Sequence, residues 1–208
     1  MTLSSINADK LAILRHLAAS GDILAQAAVT AIANETALAS IGAGLVSGGT
    51  PAAKSATSVH ASVFGDAVGP VVLTTGLANP ATPRNLRAVF GAAWDGGDVT
   101  VVGTNQFGAA VSEVILASAG STVVGVKVFA TITSVAYPGN GVGTHGTNTL
   151  TVGTGDKIGL VIIPHTGSPV LLAVDGIGEA VTFDATYNAF TPTTVPNGSH
   201  VYVLTFNL

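Results

Sequence analysis

Apolar residues recur along the first part of the chain at the spacing of an amphipathic helix. From Asn7 onward they repeat every three or four residues, and Asn7 suits an N-cap while Gly21 suits a helix end. The Ala-rich stretch 23–40 predicts a second helix, because Ala has the highest helix propensity. The sequence therefore predicts a short α-helical segment at 1–46 that serves attachment or oligomerisation.

Beyond this segment the pattern alternates with a period of two, which is typical of β-strands. Residues 47–57 have the Gly, Ser, Pro and Thr composition of a linker, and 58–208 are predicted to form the β domain. The strand candidates are rich in Val, Thr, Ile and Phe, and they are 58–64, 71–75, 85–92, 99–104, 111–116, 123–135, 147–152, 157–163, 170–174, 180–184 and 201–206. No helical pattern separates them, so parallel crossovers are disfavoured. We predict a mainly β protein, with an antiparallel β-sandwich or barrel-like domain after the helical segment.

Three local patterns make finer predictions. The Asp-Gly-Gly-Asp run at 95–98 predicts a hairpin between two strand candidates, and the Asn-Gln-Phe-Gly run at 105–108 predicts another. Alternation within the long candidate 123–135 places Val128 and Ile132 on one face, together with Ala130 between them.

Charge and composition exclude several classes of protein. Lys and Arg total 7 and Asp and Glu total 11, so the net charge is −4 and only 9% of the 208 residues are charged. An ordinary soluble domain has about 25% charged residues. So few cations cannot neutralise a run of phosphates or form a polybasic membrane anchor, and we predict no nucleic-acid and no membrane partner. The most apolar long stretch, 23–46, is interrupted by Gln26, Asn34 and Glu35, which argues against a membrane span.

The remaining class is a subunit whose surface is covered in an assembly. Mean hydropathy is +0.59 and 48% of residues are hydrophobic, which also argues against disorder. The chain has no Cys, and this excludes disulfides, thiolate metal sites and cysteine nucleophiles. The N-terminus lacks the pattern of a secretory signal, so we expect synthesis in the cytoplasm.

The candidate chemistry is sparse. Most acids adjoin Gly, as turn residues do. Asp95 and Asp98 could hold a calcium ion together with backbone carbonyls, but the loop lacks the alternating ligands and the closing Glu of a known calcium loop. A glycan hydrolase on the same scaffold would need two carboxylates at a defined distance, for which Asp98 and Glu113 are candidates. The histidines are far apart in sequence and show no metal-ligand spacing: His16, His60, His145, His165 and His200. We predict no catalytic residue, no metal and no cofactor, and therefore a protein that is not an enzyme.

Several ordered blocks of strand and turn sequence resemble the layout of structural proteins in tailed-bacteriophage virions, and capsid decoration (cement) proteins in particular. The blocks are 82–89, 98–108, 111–115, 125–135, 152–160 and 190–202. Together they cover about 82–208, and the helical segment lies outside the match. The resemblance implies a non-enzymatic protein that binds and stabilises the capsid. Its partner would be the major capsid protein of the same phage, and its location the capsid surface of the virion. The alternative is a component of the tail, baseplate or fibre that recognises a host glycan.

Contact residues are predicted from the same patterns. Low charge favours association into a symmetric homo-oligomer. Contacts would come from a helix face or from exposed strand edges, and the sequence leaves both open. The single Trp suits either the core or an interface. The predicted interface residues are Leu11, Leu14, Leu17, Leu24, Ile32, Leu38 and Trp94.

Overall fold

The computed structural model describes residues 50–64, 68–140, 148–164 and 170–205. All regular structure in these ranges is β, so the predicted mainly β class is confirmed. The predicted helical segment 1–46 lies outside the described residues. The strands are β1 (Ser55–Phe64), β2 (Val71–Leu73), β3 (Arg84–Phe90), β4 (Val99–Thr104), β5 (Ala110–Ile115), β6 (Thr122–Phe129), β7 (Thr131–Tyr137), β8 (Thr149–Gly159), β9 (Leu171–Val174), β10 (Ile177–Glu179), β11 (Val181–Asp184), β12 (Ala189–Pro192) and β13 (Tyr202–Thr205).

The strands form three sheets. The first has the order β11-β12-β8-β3-β6, the second β2-β7-β4-β5 and the third β10-β9-β13. β3 occupies one side of β8, while β1 and β12 share the other side, β1 against 149–154 and β12 against 158–159. Every pairing whose register is described is antiparallel, as predicted.

One buried cluster draws on both the first and the second sheet. Along β4 the residues alternate between buried and half-buried, which is the pattern of a strand with one face in the core. The cluster includes residues of β1, β3, β6 and β8 from the first sheet and of β4, β5 and β7 from the second: Val59, Leu86, Ala88, Phe90, Phe129, Leu150, Val152, Val99, Val101, Ile115, Ile132, Val135 and Tyr137.

Trp94 belongs to this core and is only 5% exposed. Its ring lies 5.6 Å from that of Phe90 and 5.3 Å from that of Tyr137, centroid to centroid, and its Nε1 donates a hydrogen bond to Gly97 O at 2.9 Å. A Cβ on Gly96 would lie 2.7 Å from the indole, so glycine is required there. Of the two roles considered for the single Trp, the structure places it in the core and away from the surface.

The predicted hairpin at 95–98 is wrong, whereas the hairpin at 105–108 is confirmed. β3 and β4 lie in different sheets, so 95–98 carries the chain across the core and does not join neighbouring strands. The physical reason is Trp94, which is buried under these glycines. At 105–108, Asn105 Oδ1 accepts hydrogen bonds from the backbone N–H of Phe107 and of Ala109, and β4 pairs directly with β5.

The predicted single strand 123–135 is divided into β6 and β7. Val128 and Phe129 are both buried although they are neighbours, so the alternation fails and the chain passes from the first sheet to the second. Ala130 lies between the strands and donates its N–H to Thr104 O at 2.7 Å. The predicted shared face of Val128, Ala130 and Ile132 is therefore wrong, because the residues before and after Ala130 belong to different sheets.

The two strands predicted at 147–152 and 157–163 are one strand, β8. Its glycines permit close approach of neighbouring strands and do not make turns. A Cβ on Gly153 would lie 1.8 Å from Ser55 O, and one on Gly155 would lie 2.4 Å from Asn85 Oδ1. β1 also begins at Ser55, three residues earlier than predicted. The short strands β10 and β12 were not predicted.

The chain divides into two compact units. One comprises 46–163 and 171–203 and contains nearly all of the described residues, including the first two sheets. The other comprises 1–45, 164–170 and 204–208.

Candidate functional site

Four aliphatic side chains point outward from two sheet edges that face each other. β5 ends the second sheet and β6 ends the first. On and just after β5, Val114 is 56% exposed and Leu116 is 65% exposed; on β6, Val124 is 54% exposed and Val126 is 51% exposed. We call these four residues the aliphatic seam. Scattered exposed aliphatic residues are ordinary, but a group on adjoining strands is typical of an interaction surface.

Glu113 joins the two edges from inside the seam. Its side chain is 7% exposed, and Oε1 accepts hydrogen bonds from Val126 N at 2.6 Å and from Lys127 N at 3.3 Å. In return, Lys127 Nζ donates to Ser112 O at 2.7 Å. A side chain, and not a strand ladder, therefore satisfies the N–H groups of Val126 and Lys127 on β6. An edge protected in this way resists uncontrolled strand addition.

Gly125 on β6 leaves the space that the Glu113 carboxylate occupies. A Cβ on Gly125 would lie 2.4 Å from Glu113 Oε2, so a residue with a side chain would push the carboxylate out of the gap. The sequence makes Glu113 a candidate acid for hydrolysis, whereas the structure places its carboxylate between two strands, where it binds backbone N–H groups.

The other candidate acids also bind neighbouring groups. Asp98 Oδ1 accepts a hydrogen bond from Ala117 N at 2.7 Å, and the Asp95 carboxylate accepts hydrogen bonds from the side-chain amides of Asn140 and Asn148. In the ranges that the structure describes, no three His, Cys, Asp or Glu side chains are grouped as metal ligands. Asp95 and Asp98 thus hold turns in place in the described structure.

Two further exposed aliphatic residues lie on the hairpin of β9 and β10. Leu171 is 63% exposed and Ile177 is 74% exposed. The hairpin tip is Asp175-Gly176, with φ of 51° and 82°, which is the positive φ pair that a tight two-residue hairpin turn requires.

Asp175 connects this tip to the segment that precedes β13. Oδ1 accepts a hydrogen bond from Val201 N at 2.9 Å, and Oδ2 lies 2.6 Å from His200 Nδ1. The backbone hydrogen bond from Val201, followed by the contact with His200, lowers the pKa of Asp175 below its ordinary value of 3.8.

Arg84 anchors residues 50–54 to the first sheet. It is 3% exposed, its Nη1 donates to Ala52 O, and its Nη2 lies 4.0 Å from Asp156, which also pairs with Lys54 at 2.9 Å. Burial lowers the pKa of Arg84, while the charge of Asp156 acts in the opposite direction. This cation is therefore part of the scaffold and is not available to a ligand.

The residues predicted from sequence and the surfaces found in the structure differ. The six predicted helical interface residues, Leu11, Leu14, Leu17, Leu24, Ile32 and Leu38, lie outside the described residues. Trp94 is buried. The seam was not predicted, although one signal for it is present: 114–116 are consecutively apolar, as are 123–124, so both faces of these strands carry aliphatic side chains.

The sequence matches no known protein-family model, no curated protein and no solved structure. Across the described ranges, the structure contains no helix that is both long and apolar enough to span a membrane.

Proposed function

We propose that the protein is a non-enzymatic structural subunit of a tailed-phage virion, which binds the outside of the capsid shell and stabilises it. The observation that carries the proposal is the aliphatic seam. The low charge of the chain and the resemblance of 82–208 to virion proteins support the same assignment. We also infer that the first and second sheets form an antiparallel β-sandwich, since one core cluster includes side chains from both.

The seam suits a modest contact that is repeated many times. Full burial of a Val or Leu side chain contributes about 1.5–3 kcal/mol, so each half-exposed seam residue would contribute about 1 kcal/mol when covered. One subunit would therefore gain roughly 4 kcal/mol from this surface before the cost of association is subtracted. Because a ligand that binds only the assembled shell stabilises that state, many such contacts would raise the melting temperature of the shell.

The partner in this proposal is the major capsid protein of the same phage, and the location is the capsid surface after synthesis in the host cytoplasm. A homo-oligomer would multiply the seam contacts. The predicted helical segment 1–46 would supply a further attachment, which is a separate prediction.

The test is cosedimentation of the purified protein with empty shells of the major capsid protein. We expect saturable binding at a fixed ratio to capsid subunits, and shells that melt at a higher temperature when coated. The seam variant is Leu116→Ser with Val124→Ser. The control is the single substitution Val72→Ser, at a residue whose exposure, 62%, lies between those of Leu116 and Val124, on the opposite edge of the second sheet.

The control should bind as the unchanged protein does, and the seam variant should lose at least about tenfold in affinity, the equivalent of about 1.4 kcal/mol. Equal binding by both variants would show that the contact lies elsewhere. No cosedimentation of the unchanged protein with intact, expanded shells would refute capsid binding and direct attention to the tail.

A further inference from the structure

A cavity of about 190 Å³ lies between the 105–108 turn and the turn that precedes β12. Its apolar lining includes the side chains of Val111 and Val128 and the rings of Phe107 and Tyr187. Phe107 is 46% exposed, so its ring borders solvent as well as the cavity. Two aliphatic and two aromatic residues thus contribute to the lining of the cavity.

Hydrogen bonds join the two turns and hold the backbone beside the cavity in place. Gln106 Nε2 donates to Tyr187 O at 2.8 Å and to Asn188 O at 3.2 Å. Asn188 is buried with a φ of 47°, and its Nδ2 donates to Leu160 O at 2.8 Å and to Ile162 O at 2.9 Å. A site that is already formed loses little conformational entropy on binding.

Polar groups at the cavity remain available to a ligand. Asn105 uses its Oδ1 within the turn, but its Nδ2 has no partner in the described structure, and neither do the hydroxyls of Thr186 and Tyr187. Gln106 Oε1 is buried without a partner, which leaves one acceptor unsatisfied beside the cavity. Donors and acceptors around an apolar centre match a ligand that carries hydroxyls on a compact ring.

The electrostatics of the site favour a neutral ligand. None of the residues that line the cavity is charged. The nearby Lys157 pairs with Asp184 at 2.7 Å and lies 5.3 Å from the centroid of the Tyr187 ring, where it supports the ring by a cation–π contact. Both charges of this pair are thus already compensated.

From these observations we propose that the cavity binds one neutral hexopyranose residue of a glycan. The C–H face of the sugar packs against Phe107 and Tyr187, whose rings provide apolar surface together with a polar edge. Its hydroxyls bond to the Asn105 amide and the Thr186 hydroxyl. The cavity is smaller than the roughly 300 Å³ at which sites for drug-sized ligands begin, so it accommodates a single ring and leaves the rest of a chain outside.

This binding goes beyond the proposed contact with the capsid and does not depend on it. Sugar binding is measured on the isolated full chain, whereas capsid binding requires shells. Failure of sugar binding and failure of capsid binding are therefore distinguishable.

The experiment is saturation-transfer NMR followed by calorimetry on the full chain. The probes are the methyl glycosides of glucose, galactose, mannose and N-acetylglucosamine, with glucuronate as the charged comparison. We expect at least one neutral glycoside to bind with a Kd of about 1 mM, and glucuronate to bind more weakly than that sugar.

Three variants locate the site. Phe107→Ala should weaken binding about tenfold, and Thr186→Val, which keeps the side-chain shape but removes the hydroxyl, about threefold. Val72→Ala, an exposed aliphatic position outside the cavity, should bind as the unchanged protein does. If near-UV circular dichroism shows that Phe107→Ala is misfolded, Thr186→Val decides alone.

Three results would overturn the proposal. One is no binding of any neutral glycoside at about 10 mM. The second is binding that is unchanged in both cavity variants, and the third is tighter binding of glucuronate than of the neutral sugars.

Discussion

Replacement of Glu113 by Ala tests whether the carboxylate holds the two sheet edges together. The unchanged side chain accepts a short hydrogen bond from Val126 N and a longer one from Lys127 N, in a gap that is nearly closed to solvent. A hydrogen bond to a charged group contributes about 1.5–3 kcal/mol, and removal of its buried acceptor also leaves an N–H unpaired. We expect Glu113→Ala to lower the free energy of unfolding by about 3 kcal/mol, which corresponds to roughly 6–12 °C in Tm for a domain of this size.

Glu113→Gln separates the role of charge from that of shape. The amide keeps one oxygen to accept the Val126 hydrogen bond but loses the negative charge, and charge-assisted hydrogen bonds are about twice as strong as neutral ones. The expected cost is about 1 kcal/mol. Ser112→Ala, at an exposed position next to Glu113, serves as the matched control and should leave stability unchanged.

The assay is urea denaturation followed by the fluorescence of Trp94, which is the single Trp and lies in the core. Its emission should report loss of the packing between the first and second sheets. A cost below about 0.5 kcal/mol for Glu113→Ala, or equal costs for the Ala and Gln variants, would refute the bridging role assigned to the carboxylate.

Two further predictions concern the close strand contact and the hairpin tip. Gly153→Ala would place a Cβ 1.8 Å from the backbone oxygen of Ser55. We therefore expect the free energy of unfolding, measured by urea denaturation, to fall by at least about 2 kcal/mol. A decrease below about 0.5 kcal/mol would contradict the close approach of β1. The pKa of Asp175 is lowered in the folded state, first by the Val201 hydrogen bond and then by His200. The ionised carboxylate therefore stabilises the fold at any pH above the ordinary pKa of 3.8. This stabilisation is lost as the pH falls through the lowered pKa of the folded state. Asp175→Asn, which tolerates the positive φ, should be less stable than the unchanged protein at pH 7, and the difference should shrink in acid; a difference independent of pH would contradict this role.

How far the sequence predicts this fold depends on whether local pattern or distant contact decides each feature. Alternation alone predicts β4 at its observed bounds and β5 to within one residue, because each has one buried face. Gly is ambiguous, since it permits either a turn or a close neighbour. At 95–98, Gly96 accommodates the nearby ring of Trp94 and Gly97 lies against Pro138, and within β8 Gly153 accommodates β1. Pro138 and β1 are both remote in sequence, so local pattern does not reveal them.

The candidate surfaces are harder to predict for a related reason. In 114–116 and 123–124 both faces of the strand are apolar, so the sequence does not specify which face is covered by the other sheet. Glu113 decides the question in the structure: its carboxylate points into the gap and leaves Val114 and Leu116 outside. The relevant contact joins two strands that are not paired by backbone hydrogen bonds, and strand propensity carries no information about it.

The position of β1 beside β8 has a consequence for the order of events during synthesis. Ser58 Oγ and Thr154 Oγ1 lie 3.2 Å apart although the residues are 96 positions apart in sequence. Ribosomes add about 5–20 residues per second, so β1 waits about 5–20 s after its own synthesis before its partner exists. Until then the nascent chain lacks the strand that links β1, β3 and β12, and its first sheet is incomplete. We expect the subunit to become competent for assembly only after residue 159 has left the ribosome, which would delay premature association of unfinished chains.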